Sequence, residues 1–189
     1  MPDFFEVLKT RRSIRAYSEE PVAEADLQEL IDLAVLAPTA MNAQPWNFIV
    51  VTNQQVLSEV NDRIKQILHE RNIAEQMPEE NIKAMLRAPE FSIFYRAPAL
   101  IVITAPKENN IAVYDCQLAA ENIFLAAHAK GLGSCYMGFL FFGQDDPTVR
   151  GLLHIPEDHS FMAACCVGHP KVFLIEGPQR NAPKIEWVK

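Results

Sequence analysis

Two neighbouring stretches, Ala99-Leu-Ile-Val-Ile-Thr104 and Asn110-Ile-Ala-Val-Tyr-Asp-Cys-Gln-Leu-Ala-Ala120 with its continuation to Lys130, decide the layer architecture. Residues 99–104 are apolar without alternation, which is the pattern of a strand buried on both faces. Residues 110–130 are too long for a strand and apolar nearly all round, so they read as a central helix. Its Ala119, Ala120, Ala126, Ala127 and Ala129 let another helix approach closely, in a monomer core or at a dimer interface.

Outward from this pair, Trp46 to Thr52 is a β-prone run, and Asn53 can cap the helix that continues through Ile64, Ile67 and Leu68. Upstream, residues 24–37 form an amphipathic helix, with Glu24 and Asp26 in its first turn, Leu27, Leu30, Ile31 and Ala34 at helical spacing, and Pro38 as its stop. Pro2 and Asp3 open a short helix with an apolar face of Phe4, Val7 and Leu8. Downstream, Gly131 and Gly133 end the long helix, Ser134 to Met137 reads as a short strand, Asp146-Pro147 as a helix start, and Phe161 to Val167 as the last strand. With helices segregated around four β-runs, the pattern favours an α+β layered fold over a doubly wound sheet.

The length of 189 residues suits a single domain, 1–189. Residues 69–96 are more polar, broken by Pro78 and Pro89, with a short helix near 79–87 and then Phe91, Phe94 and Tyr95; they read as a mobile excursion or lid. The tail, 171–189, is too irregular for core and too apolar at Ile185, Trp187 and Val188 to float free, so it is expected to dock on a partner subunit.

Composition narrows the function classes. Apolar residues make up 49% and charged residues 22%, ordinary globular usage. A formal charge of −7 argues against a general nucleic-acid binder. There is no apolar run long enough to span a bilayer and no secretory leader pattern, so a cytoplasmic protein without membrane partners is expected. Cys116, Cys135, Cys165 and Cys166 lack metal or disulfide spacing, and His69, His128, His154, His159 and His169 lie apart, so no metal site is expected. A thiol redox role for Cys165-Cys166 is disfavoured, because vicinal strand residues point to opposite faces.

Three stretches carry candidate chemistry. Arg11-Arg12-Ser13-Ile14-Arg15 could hold a phosphate and a second polar group, or simply complement a helix C-terminus. Pro38-Thr39-Ala40-Met41-Asn42-Ala43-Gln44-Pro45-Trp46 could present a rigid polar wall to a heterocycle, or be turn chemistry alone. Gly131-Leu-Gly-Ser-Cys-Tyr-Met-Gly138 is no dinucleotide fingerprint, because Tyr136 stands where a third glycine would be needed. Its glycines suit a helix cap and close backbone approach to a planar ligand. Phe139, Leu140, Phe141 and Phe142 read as core or as an apolar slot for flat substrates. With no legible side-chain nucleophile, an enzyme of this sequence would rely on a cofactor.

In order and spacing these three motifs, together with Pro178-Gln-Arg180, resemble the FMN-dependent nitroreductase family over nearly the whole chain. The resemblance implies a mostly antiparallel central sheet flanked by helices, in an intertwined homodimer with FMN at the interface. It implies that Arg11, Ser13 and Arg180 bind the FMN phosphate, Arg12 the phosphate or ribityl region, and Arg15 the pyrimidine edge. Pro38, Thr39, Ala40 and Asn42 would come from the other subunit, with Gln44 nearby. Met137 and Gly138 would lie against the flavin, the Gly138 amide towards N5. The implied activity is ping-pong hydride transfer through N5, from NADH or NADPH to a nitroaromatic, quinone or related planar acceptor. The alternative is an FMN flavoprotein without NAD(P)H turnover: a carrier, a flavin-processing protein or a subunit fed by another reductase.

Overall fold

The structure, a computed structural model, describes residues 3–173 and 177–189. In chain order its elements are α1 (Phe4–Thr10), α2 (Glu24–Ala34), a 3-10 turn (Ala40–Asn42), β1 (Asn47–Val51), α3 (Gln54–Glu70), α4 (Ile73–Gln76) and α5 (Glu80–Arg87). There follow β2 (Ala99–Pro106), α6 (Ala112–Ala129), β3 (Gly133–Tyr136), a second 3-10 turn (Gly138–Gly143), α7 (Pro147–Leu152) and β4 (His159–Gly168). The sheet is four-stranded in the order β1-β2-β4-β3, and every pair in it is antiparallel.

Helix boundaries follow local chemistry. The Asp3 carboxylate accepts the Phe5 amide at the start of α1, the Asn53 side chain accepts from Gln55 and Val56 at α3, and Asp146 accepts from Val149 at α7, with Pro147 in the first helical turn. Arg63 on α3 also donates to Asp146 at 2.7 Å, tying the start of α7 to α3.

The β2 strand has both faces buried, as its unbroken apolar run requires. Ala99, Ile101, Ile103 and Ala105 join Leu27, Leu30 and Ala34 of α2 and the buried alanines of α6 in one cluster. Leu100 and Val102 join Val60, Ile64 and Ile67 of α3 in the other. The molecule is thus a helix–sheet–helix stack, with α2 and α6 on one face and α3, α7 and the second 3-10 turn on the other. Cys165 and Cys166, neighbours on β4, fall into opposite clusters.

Segment 69–96 is anchored at intervals rather than loose along its length: Ile73, Ile93 and Phe94 are buried, and Lys65 donates to the carbonyls of Pro89 and Phe91 at 2.7 and 2.9 Å. The apolar face of α1 departs from expectation. Only Val7 is buried on this helix, which packs chiefly against α6, while Phe4 and Phe5 are 60% and 65% exposed.

Candidate functional site

The basic segment is positioned by the sheet more than by the helix that precedes it. Arg11 caps α1, its amide donating to the Val7 carbonyl, after which the backbone turns extended and pairs beyond the edge of β3. Ser13 bridges Ser134 in parallel sense, and the Ile14 amide donates to the Ser134 carbonyl at 3.0 Å. Gly133 permits this approach: a Cβ there would stand 2.8 Å from the Ile14 Cβ. Further on, Tyr17 bridges Pro170 and its phenol donates to the Ile14 carbonyl at 2.6 Å, so the segment is held at both ends.

Its arginines then take separate paths. The Arg11 guanidinium lies over the Phe124 ring at 5.9 Å and 3.8 Å from Glu121, both on α6. Arg12 turns back, its Nη1 donating to the carbonyls of Lys9 and Arg11 at 2.8 and 2.7 Å. That is helix-end capping, yet its buried Nε has no partner among the described residues. Arg15 is exposed, with its guanidinium 5.9 Å from the centre of the Tyr95 ring.

The parallel bridge sets Arg15 alongside Tyr136, two residues before Gly138, about 7 Å at the rise of an extended chain. Met137 is buried and its amide donates to the Ala164 carbonyl at 2.8 Å. Gly138 is exposed and opens a 3-10 turn, where backbone amides lack partners from within the turn. A Cβ on it would meet nothing within 4 Å. Arg11, Ser13, Arg15, Met137 and Gly138 thus share one edge of the sheet.

The polar loop stands elsewhere. Pro38, Asn42 and Gln44 are exposed, with Thr39 and Ala40 half-buried. Asn42 and Gln44 have positive φ, 56° and 46°; the Gln44 side chain donates to Asn42 Oδ1 at 2.9 Å, and its amide donates to Thr39 Oγ1 at 3.3 Å. The loop is pinned by Asp115 in the first turn of α6, whose Oδ1 accepts the Ala40 amide at 3.1 Å. Glu121 and Phe124, beneath Arg11, lie six and nine residues further along, roughly 9 and 13 Å at the helical rise. Within one chain α6 therefore holds the loop and the basic segment at separate points.

In the tail, Arg180 is exposed. Gly177, three residues earlier and so within about 11 Å of chain, abuts the Arg12 guanidinium so closely that a Cβ there would clash with it. That contact brings the tail to the basic segment.

Several neighbours of the site carry no local sequence signal. Asp115 is only 4% exposed and its Oδ2 has no partner among the described residues. The Thr10 hydroxyl donates to the Glu6 carbonyl and so accepts from His128 Nε2 at 2.8 Å. Burial, reinforced by Arg11 and Arg12, holds His128 below the usual imidazole range. Burial pushes the Cys116 and Cys166 thiols up to about 12, and it raises Cys135 as well. These are inert thiols, not nucleophiles. Among the described residues no group of three or more His, Cys, Asp or Glu is placed to hold a metal ion, and no helix is long and apolar enough to cross a membrane.

With this geometry in place, comparison with known proteins is decisive: the model of the Nitroreductase family matches residues 8–169. The chain belongs to the nitroreductase family. A nitroreductase-family relative from Archaeoglobus fulgidus, called "Putative NADH dehydrogenase/NAD(P)H nitroreductase", is 31% identical across 90% of this chain and 87% of its own. The 5,6-dimethylbenzimidazole synthase of Rhodospirillum rubrum is 28% identical across 94% and 85%. A Bacteroides fragilis nitroreductase, whose crystal structure holds bound FMN, superposes with a TM-score of 0.83 over all of both chains at 28% identity. The nitroreductase-like α+β fold and its antiparallel sheet agree with the sequence reading.

The phenylalanines read as core or as an apolar slot lie on the fringe of the core. Leu140 is buried, while Phe139, Phe141 and Phe142 are half-buried against the α3-side cluster. Tyr136 stacks on Phe141 at 6.0 Å.

Proposed function

We propose that this nitroreductase-family chain is an FMN-dependent oxidoreductase that takes reducing equivalents from NADH or NADPH and delivers them to a planar acceptor such as a nitroaromatic or quinone. The observation that carries the reading is the single sheet edge on which Arg11, Ser13 and Arg15 stand beside the uncovered backbone of Gly138. The residues present fit the cofactor: cationic arms for a phosphate, a buried Arg12 Nε that has no hydrogen-bond partner among the described residues, and a Gly138 backbone with open space where a side chain would stand. Bound FMN would supply a ring that accepts a hydride and passes it on.

This chain's residues supply position and charge. Arg11 and Ser13, with Arg180 brought up by the Gly177 contact, hold the phosphate; bidentate arginine contacts suit that group. Arg12, whose Nη1 secures α1 and whose Nε faces Gly177, adds positive charge beside the phosphate. Arg15 would present positive charge to the pyrimidine edge, and the Gly138 amide, carried on a fixed backbone, would donate towards N5 without reorganising during the reaction. Pro38, Thr39, Ala40, Asn42 and Gln44, held away from this edge by Asp115, serve the site of a second copy in a homodimer.

The exposed apolar side chains of α1 and α6, among them Phe4, Phe5, Tyr114 and Leu118, together with Ile185, Trp187 and Val188 of the tail, support that dimer. In this reading 1–189 is one FMN-binding domain, 171–189 docks on the partner, and 69–96 borders the substrate side as a lid.

Anaerobic mixing of the FMN-loaded protein with NADH and NADPH tests the activity. Bleaching of the flavin band within seconds supports it; a persistent yellow spectrum with both donors removes it. The second reading, a flavoprotein without NAD(P)H turnover, has a specific observation behind it: a 5,6-dimethylbenzimidazole synthase is about as similar to this chain as an FMN-bound nitroreductase.

A further inference from the structure

The proposed function assigns Arg15 to the flavin but leaves open what holds an exposed arginine in place, since a long side chain free in solvent samples many rotamers. One aromatic ring answers. The Arg15 guanidinium lies over Tyr95 at 5.9 Å, and the Tyr95 ring is itself fixed. It packs edge-on to Phe91 at 6.0 Å and 71°, Phe91 packs edge-on to Phe139 at 6.4 Å and 85°, and Phe139 directly follows Gly138. The two groups assigned to the flavin, the Arg15 guanidinium and the Gly138 amide, are thus joined by a ladder of three rings.

The backbone beneath the ladder is built for the same end. Tyr95 and Arg96 both have positive φ, 54° and 56°, unfavourable for non-glycine residues and kept only where surrounding contacts over-determine the turn. Here they do. The Tyr95 amide donates to the Ser92 carbonyl at 2.9 Å and the Ala97 amide to the Phe94 carbonyl at 2.9 Å. The Ile93 amide donates to Asn61 Oδ1 on α3 at 2.9 Å, and Ile93 and Phe94 before the pair and Ala97 after it are buried. A strained turn anchored to α3 therefore presents an aromatic face under Arg15.

We propose that Tyr95 is a positioning residue for Arg15, and that the Tyr95–Phe91–Phe139 ladder sets the spacing between the Arg15 guanidinium and the Gly138 amide; this rests on the proposed FMN site. The guanidinium sits over the ring face and the phenol oxygen also lies within its reach; the positioning is assigned to the ring face, and Tyr95→Phe separates it from the phenol contact. Tyr95→Phe keeps that face. Tyr95→Leu removes it while leaving an apolar side chain on the turn, and Phe91→Leu breaks the ladder one ring away from Arg15.

The first test needs no flavin. In protein labelled with 15N-arginine, the Arg15 Nε–H resonance, assigned by its loss in Arg15→Lys, carries a ring-current shift in the wild type and in Tyr95→Phe and loses it in Tyr95→Leu. An Arg15 resonance unchanged in Tyr95→Leu overturns the contact, whatever the protein does with FMN. The second test uses FMN-loaded protein. Tyr95→Leu and Phe91→Leu slow flavin reduction by NAD(P)H roughly ten-fold, with FMN affinity within about three-fold of wild type and with Tyr95→Phe restoring the rate. Equal loss in Tyr95→Phe and Tyr95→Leu, or a loss of FMN affinity that matches the loss of rate, overturns the positioning role. A wild-type protein that takes up no FMN overturns the proposed function, and the role of the contact with it, even where the resonance shift is present.

Discussion

Gly133→Ala tests the step by which the basic segment reaches the sheet. A Cβ at this position would stand 2.8 Å from the Ile14 Cβ and 2.9 Å from both of its γ-carbons. Ile14 is 6% exposed and anchored by its amide to Ser134, so it cannot rotate clear. Restoring ordinary contact near 3.5 Å pushes residues 13–15 outward by roughly 0.7 Å, and overpacking of this kind costs about 1–3 kcal/mol. The shift falls on Ser13 and Arg15, two of the proposed FMN contacts. Losing the geometry of one charge-assisted hydrogen bond costs about 1.5–3 kcal/mol, a factor of ten or more in affinity. The assay is urea unfolding of the flavin-free protein beside an FMN titration followed by flavin fluorescence. A variant that unfolds at the wild-type urea midpoint and binds FMN as the wild type does would refute the reasoning.

Gly138→Ala separates site from fold: with nothing within 4 Å of the added methyl, the urea midpoint stays at the wild-type value while FMN affinity falls about ten-fold, as seen by the same titration. Asp115→Ala frees the Ala40 amide and unpins the polar loop, a loss of about 1.5–3 kcal/mol for a hydrogen bond to a charged acceptor; FMN retention on a desalting column falls, with release rates as the check. His128 is held below its unfolded pKa, first by burial and then by Arg11 and Arg12. Its contribution to stability is therefore full above about pH 6.5 and is lost as pH falls through the lower folded value, so His128→Gln flattens the acid side of the stability profile. The thiols resist a disulfide reagent in the native protein at pH 8 and react on denaturation, because burial raises Cys116, Cys135 and Cys166.

Much of the frame was legible because it is written in local patterns. The unbroken run at 99–104 marks a strand with two buried faces, and Asn53 and Asp146-Pro147 mark helix starts, all of which the fold contains. What sequence could not give is pairing at a distance. Asp115 meets Ala40 across 75 positions, and Arg11 meets Glu121 and Phe124 on another helix; no spacing rule connects such residues. The left-handed turn at Tyr95 and Arg96 is hidden because neither residue is the glycine or asparagine that usually announces one. The short helix α1 shows the opposite case. Its apolar periodicity is real, but Phe4, Phe5 and Leu8 stay largely exposed among the described residues, so the pattern describes a face without saying what meets it.

The central claim, that this sheet edge binds FMN, is tested most directly by the visible absorption spectrum of the purified protein, followed by denaturation and identification of the released chromophore. The account predicts a yellow protein that releases FMN, or a colourless one that takes up added FMN, with affinity about ten-fold weaker in Gly138→Ala. A colourless protein that fails to take up FMN at any concentration tried would contradict it.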